Sequence, residues 1–369
     1  MIKYMPEKPA IIMSDRKVSY RELAGGVLLY SERLKPFNPE RVVVFAENRP
    51  EWIFAMYGIW HNRAAVVPID HKSNAEDAAY ILKDCTPQAV FCTAATKVTL
   101  DEAVTLSGFD GPVFVMEDIP DPESTDERPC ESMGDPEDVA LIIYTSGTTG
   151  SPKGVMLTYK NITANVTAVH QDVPIYNKDD RIMILLPLHH IFPLLGTVAI
   201  TMYVGATGVI CPKLEPAAIM ETLQNNAITI IIGVPRLYES FKKSIRAKIN
   251  ESAVAKTLFK VAGNIGSLAL SRKIFGKVQR GFGGSVRYMV SGGSRLEPDT
   301  AIFFRTLGFD ILEGFGMTEA SPMITFTRPG AFMAGSAGQR LPATQIEIRD
   351  GEITAAGENI MKGYYNRPE

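Results

Sequence analysis

Short segments that are apolar on both faces recur along the chain, separated by runs of helical periodicity. No other feature constrains the fold as strongly. The segments 41–46, 64–68, 88–92, 112–115, 139–144, 181–186, 206–211, 228–233, 286–291 and 309–313 are of this kind. A strand with one wet face alternates polar and apolar residues, whereas a strand apolar throughout belongs to a parallel sheet covered on both sides. Ser19 and Glu22 have the spacing of a capping box ahead of an amphipathic run to about Leu34. A further helix begins near Pro50, and Asn74 suits the cap of the next. After Gly335 the pattern changes, and 345–355 reads as a hairpin around Asp350-Gly351, a pair suited to a type I′ turn. The expectation is an α/β chain of two doubly wound sheet lobes with helices on both faces, plus a small antiparallel piece over about 335–369.

Charge and cysteine usage narrow the function classes. Lys plus Arg number 38 against 41 Asp plus Glu, a net charge of -3. A general nucleic-acid binder needs a strong cationic excess, so no nucleic-acid partner is expected. Cys85, Cys92, Cys130 and Cys211 form no CxxC pair and have no paired His ligands nearby, which fits neither a zinc site nor a disulfide framework. Isolated thiols, and an N-terminus without an apolar signal region, point to the cytoplasm. Residues 182–211 carry no formal charge, and 191–210 is long enough to span a bilayer. Pro187, Pro193, Gly196, Gly205 and Gly208 interrupt it, so a strand, a short helix and a second strand are expected instead. The acidic, Pro-rich stretch 117–138 reads as a surface connector.

The densest chemistry lies just after the 139–144 segment, in Tyr144-Thr-Ser-Gly-Thr-Thr-Gly-Ser-Pro-Lys-Gly154. Gly147 and Gly150 allow the backbone to turn its N–H groups inward, and such nests bind anions. Thr145, Ser146, Thr148 and Thr149 add hydroxyl donors, and Lys153 adds a compact positive charge. Together these suit a triphosphate. The lysine follows Gly150 by three residues with Pro152 between, so this is not a Walker loop, and no GxGxxG follows the first strands as a dinucleotide-binding fold requires.

The loop resembles the phosphate signature of the AMP-forming acyl-CoA synthetases, within the adenylate-forming superfamily that includes luciferases and peptide-synthetase adenylation domains. Leu186-Pro-Leu-His-His-Ile-Phe192, Ser291-Gly-Gly-Ser294, Glu313-Gly-Phe-Gly-Met-Thr-Glu319, Gly351-Glu-Ile353 and 357–369 resemble further family motifs in the family's order. The resemblance covers all 369 residues. It implies an acetyl-CoA synthetase-like fold whose small antiparallel part is barrel-like. It also implies ATP and Mg²⁺, with CoA as co-substrate: a carboxylate attacks the α-phosphate, and a thiol then displaces AMP.

By that resemblance Glu319, with Thr145, would hold Mg²⁺, Thr318 would donate to the α-phosphate, and Lys153 would meet the β- and γ-phosphates. Phe315 stands where relatives usually have Tyr, and its ring would stack on adenine. Gly292, Gly293 and Ser294, together with Glu313, Gly314 and Gly316, would surround the base and ribose. Arg295 stands where relatives often carry Pro. His190 would lie near the substrate carboxylate, and His189 would be structural.

The basic helical stretch 237–281 resembles an insertion of the long-chain branch, so a fatty acid is the expected substrate. A medium-chain or aromatic acid, an acyl-carrier-protein acceptor, or a non-catalytic nucleotide-binding module remain alternatives. The same stretch suits peripheral contact with the inner face of a membrane, or simply a solvated helical hairpin. A homodimer stays open. The uncharged 192–203 run would either line an acyl tunnel or pack for stability alone. The family's Thr-Gly-Asp ribose contact, hinge and mobile C-terminal domain with its adenylating lysine lie beyond residue 369, so 1–369 is expected to be the N-terminal adenylation domain.

Overall fold

The computed structural model describes residues 2–14, 16–125, 127, 134–145, 151–342 and 344–367. In chain order, the strands of the first part are β1 (Pro9–Met13), β2 (Arg16–Ser19), β3 (Arg41–Phe45), β4 (Ala65–Ile69), β5 (Ala89–Cys92), β6 (Val113–Val115), β7 (Val139–Thr145) and β8 (Lys153–Thr158). Then follow β9 (Arg181–Ile184), β10 (Thr207–Ile210), β11 (Ile230–Gly233), β12 (Tyr288–Ser291), β13 (Asp310–Gly316) and β14 (Met323–Phe326). Last come β15 (Gln339–Arg340), β16 (Thr344–Arg349), β17 (Glu352–Gly357) and β18 (Gly363–Tyr364).

The strands form two large sheets, ordered β15-β14-β13-β12-β11-β9-β10-β1-β2 and β18-β8-β7-β4-β3-β5-β6. From β13 to β1, and from β7 to β6, all pairings are parallel. The edges are antiparallel. This is the two-lobed α/β architecture expected from the apolar segments. β3, β4 and β5 are buried at nearly every position, as parallel strands between helix layers must be. Residues of both sheets, among them Val42, Leu141, Ile182 and Val290, belong to one continuous core with Trp52 and Trp60.

The local signals hold. Ser19 accepts from the Glu22 N–H while the Glu22 carboxylate receives the Ser19 N–H, closing the capping box of the helix Tyr20–Leu34. Asn74 caps the helix Ala75–Cys85. β16 and β17 form the expected hairpin, with Asp350 and Gly351 at φ of 52° and 83°. The flanks of that hairpin splice onto the large sheets, β15 at the edge of one and β18 at the edge of the other.

The uncharged stretch 182–211 is β9, a helical run and β10. Among the described residues no helix is long and apolar enough to cross a membrane. Leu194 to Ala199 are buried, and the Thr197 and Thr201 hydroxyls donate back to Pro193 O and Thr197 O. Residues 235–281 form four successive helices, Pro235–Asn250, Ala253–Ile265, Leu268–Ile274 and Gly276–Gly281, separated by short breaks. The described cysteines, Cys85, Cys92 and Cys211, are free and buried; Cys130 lies outside the described residues.

Candidate functional site

In open parallel sheets the loops leaving the carboxyl ends of the strands converge on a common crevice. Here the segments after β9, β11 and β12, with the end of β13, enclose a cavity of about 470 Å³. His190, Gly292, Gly293, Gly314, Phe315, Gly316 and Thr318 all line it. Three segments singled out in the sequence, 186–192, 291–294 and 313–319, thus meet at one hole. Ile191, Phe192, Pro193, Val234, Pro322 and Met323 supply its apolar wall.

The backbone is shaped for close approach. Gly293 has φ 79°, a left-handed conformation strained for any residue with a Cβ. A Cβ on Gly316 would fall 1.9 Å from the Pro322 carbonyl oxygen. Phe315 and Met317 are exposed although large and apolar, which leaves the Phe315 ring open beside the cavity.

The His-containing turn is held by a residue the sequence did not single out. Asn48 donates to Leu186 O at 2.9 Å and accepts from Leu188 N–H at 3.0 Å. His190 opens onto the cavity, yet the protein around it strips enough water from the ring to lower its pKa against the opposing pull of Asp70. His189 is lowered further, by burial first and then by repulsion from His190, whose ring centroid is 4.0 Å away. Asp70 Oδ2 lies 3.7 Å from His189 Nε2 and partly offsets both effects. Near neutral pH both rings are uncharged, so His190 can offer a hydrogen bond but not a fixed positive charge.

Glu313, just before Gly314, is buried with Oε1 lacking a hydrogen-bond partner. Burial pushes its pKa up to about 7, although the Leu296 backbone and Arg295 pull the other way. Ser291, its ladder partner on β12, also has a buried hydroxyl without a partner. Ser294 and Arg295 are exposed and outside the cavity lining.

The remaining site residues lie beside the cavity rather than in its wall. Thr145 ends β7 and Lys153 begins β8, and the two are direct cross-strand partners. Ser146, Gly147, Thr148, Thr149 and Gly150, which join them, lie outside the described residues. Glu319, half-buried in the short turn Thr318–Ala320, accepts at Oε1 from the Tyr364 hydroxyl at 2.9 Å. Lys153 Nζ sits 5.2 Å from the centroid of the same Tyr364 ring. Sequence reasoning passed over Tyr364 because nothing in a Gly-Tyr-Tyr string marks which ring will point inward.

Among the described residues no group of three or more His, Cys, Asp or Glu side chains could hold a metal. A single half-buried carboxylate still suits magnesium, which takes one or two carboxylates and fills its octahedron with phosphate oxygens and water.

Comparison with known proteins agrees with this geometry. The family model described as "AMP-binding enzyme" matches residues 2–365. The chain is 25% identical to long-chain-fatty-acid–CoA ligase 5 of Rattus norvegicus over 99% of its own length and 60% of the relative's. It is 34% identical to long-chain-fatty-acid–CoA ligase 1 of Schizosaccharomyces pombe over 63% of the chain and 39% of the relative. The chain thus spans between about two-fifths and three-fifths of these relatives' lengths. Among solved structures, the N-terminal domain of FACL13 from Mycobacterium tuberculosis superposes with TM-score 0.77 at 19% identity, over 98% of this chain and 88% of that one. Apo MatB from Rhodopseudomonas palustris gives 0.78 at 23%, over 99% and 70%. With the family model matched over nearly its entire length, and with the fold and converging segments described above, the chain belongs to the AMP-binding enzyme family.

Proposed function

We propose that this chain is the N-terminal adenylation domain of an ATP-dependent ligase that activates a fatty acid as acyl-AMP and transfers it to CoA. The observation that carries the reading is the convergence of His190, Gly292, Gly293, Phe315 and Thr318 on one cavity with an apolar wall. Adenine would lie on the exposed Phe315 face, in close approach to the Gly292-Gly293 backbone. The carboxylate oxygen attacks the α-phosphorus, forming the acyl–phosphate bond as the bond to pyrophosphate breaks. Charge then gathers on the phosphate oxygens, where prearranged donors are most effective. Thr318 would donate there, Lys153 would meet the departing phosphates, and neutral His190 would orient the acid by a hydrogen bond. Glu319 and Thr145 would hold magnesium, which when bound offsets phosphate charge. In the second step a thiol attacks the acyl carbon and AMP leaves.

A fatty acid is favoured by the Ile191, Phe192, Pro193 and Val234 wall and by the long-chain ligases among the relatives. In the whole protein a mobile C-terminal domain would supply the adenylating lysine. Peripheral membrane contact is part of the proposal. In the helix Ala253–Ile265, Val254, Leu258, Val261 and Ile265 are exposed on one stripe, in a helical segment whose only carboxylates are Glu239 and Glu251. Sedimentation with phosphatidylglycerol vesicles tests that contact, and an unchanged bound fraction for Leu258→Glu would exclude this stripe.

Substrate class is tested by calorimetric binding of hydrolysis-resistant acyl-sulfamoyl adenosines, from acetyl through octanoyl and benzoyl to oleoyl. Affinity should rise to the long chains. A maximum at benzoyl or octanoyl would favour the alternative acids. Incubating the full-length protein with oleate, ATP and either CoA or a carrier protein identifies the acceptor.

A further inference from the structure

We propose that Tyr364 is a positioning residue that holds Lys153 and Glu319 apart and fixes the Glu319 carboxylate for a metal–nucleotide complex. This rests on the roles proposed above for those two charges. The phenol hydroxyl donates to Glu319 Oε1 at 2.9 Å, and Lys153 Nζ lies 5.2 Å from the ring centroid. One side chain therefore touches the candidate metal carboxylate through its polar tip and the candidate phosphate lysine through its π-face. Neither Lys153 nor Glu319 has an ion-pair partner among the described residues.

A lysine and a carboxylate in direct contact attract strongly at the partly desolvated dielectric of a protein surface. A direct pair would neutralise both before any ligand arrived. The Tyr364 side chain gives each charge a partial partner instead: a cation–π contact for the lysine and one hydrogen bond for the carboxylate. One carboxylate oxygen is thereby fixed while the other stays outside this bond, as partners of metal ligands commonly arrange.

The backbone around Tyr364 is secured in keeping with such a role. β18 pairs with β8, with Tyr364 opposite Val155, and Tyr365 N–H donates to Gly154 O at 2.7 Å. Met361 N–H donates to Glu319 O at 2.8 Å. The fully buried Asn359 donates to Ala320 O at 3.0 Å. Residues 359–365 thus clamp the Thr318–Ala320 turn on one side and the Lys153 strand on the other.

The test is ATP binding by calorimetry across a magnesium titration, with AMP binding as the control for the base subsite. Tyr364→Phe keeps the ring beneath Lys153 and removes only the hydroxyl. It should raise the half-saturating magnesium concentration for ATP binding about tenfold, with magnesium-free ATP affinity and AMP affinity unchanged. Tyr364→Leu, which removes the ring as well, should also weaken ATP binding without magnesium. Glu319→Gln is the reference and should abolish the magnesium dependence. If Glu319→Gln abolishes it while Tyr364→Phe behaves as the parent, the role of Tyr364 is overturned and the metal assignment stands. If Glu319→Gln leaves it intact, the metal assignment itself fails and the inference with it. Weakened AMP binding in Tyr364→Phe would mark a general structural role and overturn the inference.

Discussion

Replacing Glu313 by Gln should stabilise the chain at alkaline pH and do little at acid pH. Glu313 is only 7% exposed, and its pKa is raised from 4.5 to about 7 chiefly by burial. A raised carboxyl pKa means that the native state holds the proton more tightly than the unfolded chain. Its stabilising contribution is therefore complete below about 4.5 and is lost as the pH rises through about 7. At about 1.4 kcal/mol per unit the span corresponds to roughly 3 kcal/mol at most, and partial hydration will reduce it. Glutamine keeps a carbonyl oxygen for the Leu296 N–H, never ionises, and offers an N–H₂ donor beside the unpartnered Ser291 hydroxyl. The assay is thermal unfolding of both proteins from pH 5 to pH 8.5, as the difference in Tm. That difference should be near zero at pH 5 and grow to a few degrees in favour of Glu313→Gln by pH 8.5, since about 1 kcal/mol moves Tm by roughly 2 °C in a chain this long. A pH-independent difference, or one that falls at high pH, would refute the burial argument.

Lys153→Ala should weaken ATP binding by about tenfold or more while AMP binding stays within about twofold, because the proposed partners are the β- and γ-phosphates. Equal losses for both nucleotides, read by calorimetry, would make the lysine a structural residue. The lowered pKa values of His189 and His190 act in the opposite sense to Glu313. Below about pH 6.5 the unfolded chain takes up protons that the native rings resist, so stability falls on acidification. His189→Asn should make that fall shallower in denaturant titrations between pH 5 and pH 7, and an unchanged slope would remove His189 from the account.

Much of the architecture was legible because it rests on short-range physics. Apolar segments such as 41–46 and 228–233 could only be strands covered on both faces, and caps at Ser19 and Asn74 declare themselves within three residues. What escaped was edge structure. β8 begins at Lys153 with Gly154 next, a pair that reads as the tail of a loop, and it becomes a strand only because β7 and β18 lie on either side. β14 and β18 are too short for any period to register. The cavity-lining residues were legible as motifs, since turns that need Gly293 or Gly316 leave a compositional mark. Their supports, Asn48, Asp70 and Tyr364, were not. Each acts across a separation that no local pattern encodes: Asn48 reaches Leu186, and Tyr364 reaches both Glu319 and Lys153. The buried run from Leu194 to Ala199 shows the converse limit, because an uncharged sequence near a site does not distinguish a tunnel wall from a packed helix.

The central claim, that the cavity bounded by His190, Gly293, Phe315 and Thr318 receives an acyl adenylate, is tested most directly by titrating the chain with oleoyl-sulfamoyl adenosine. Parent, Phe315→Ala and Thr318→Ala are compared in the same calorimeter. The account predicts one site per chain, with affinity lowered about tenfold by each substitution, through lost stacking in one and a lost phosphate-side donor in the other. Binding that is indifferent to both substitutions, or no binding by the folded parent, would contradict it.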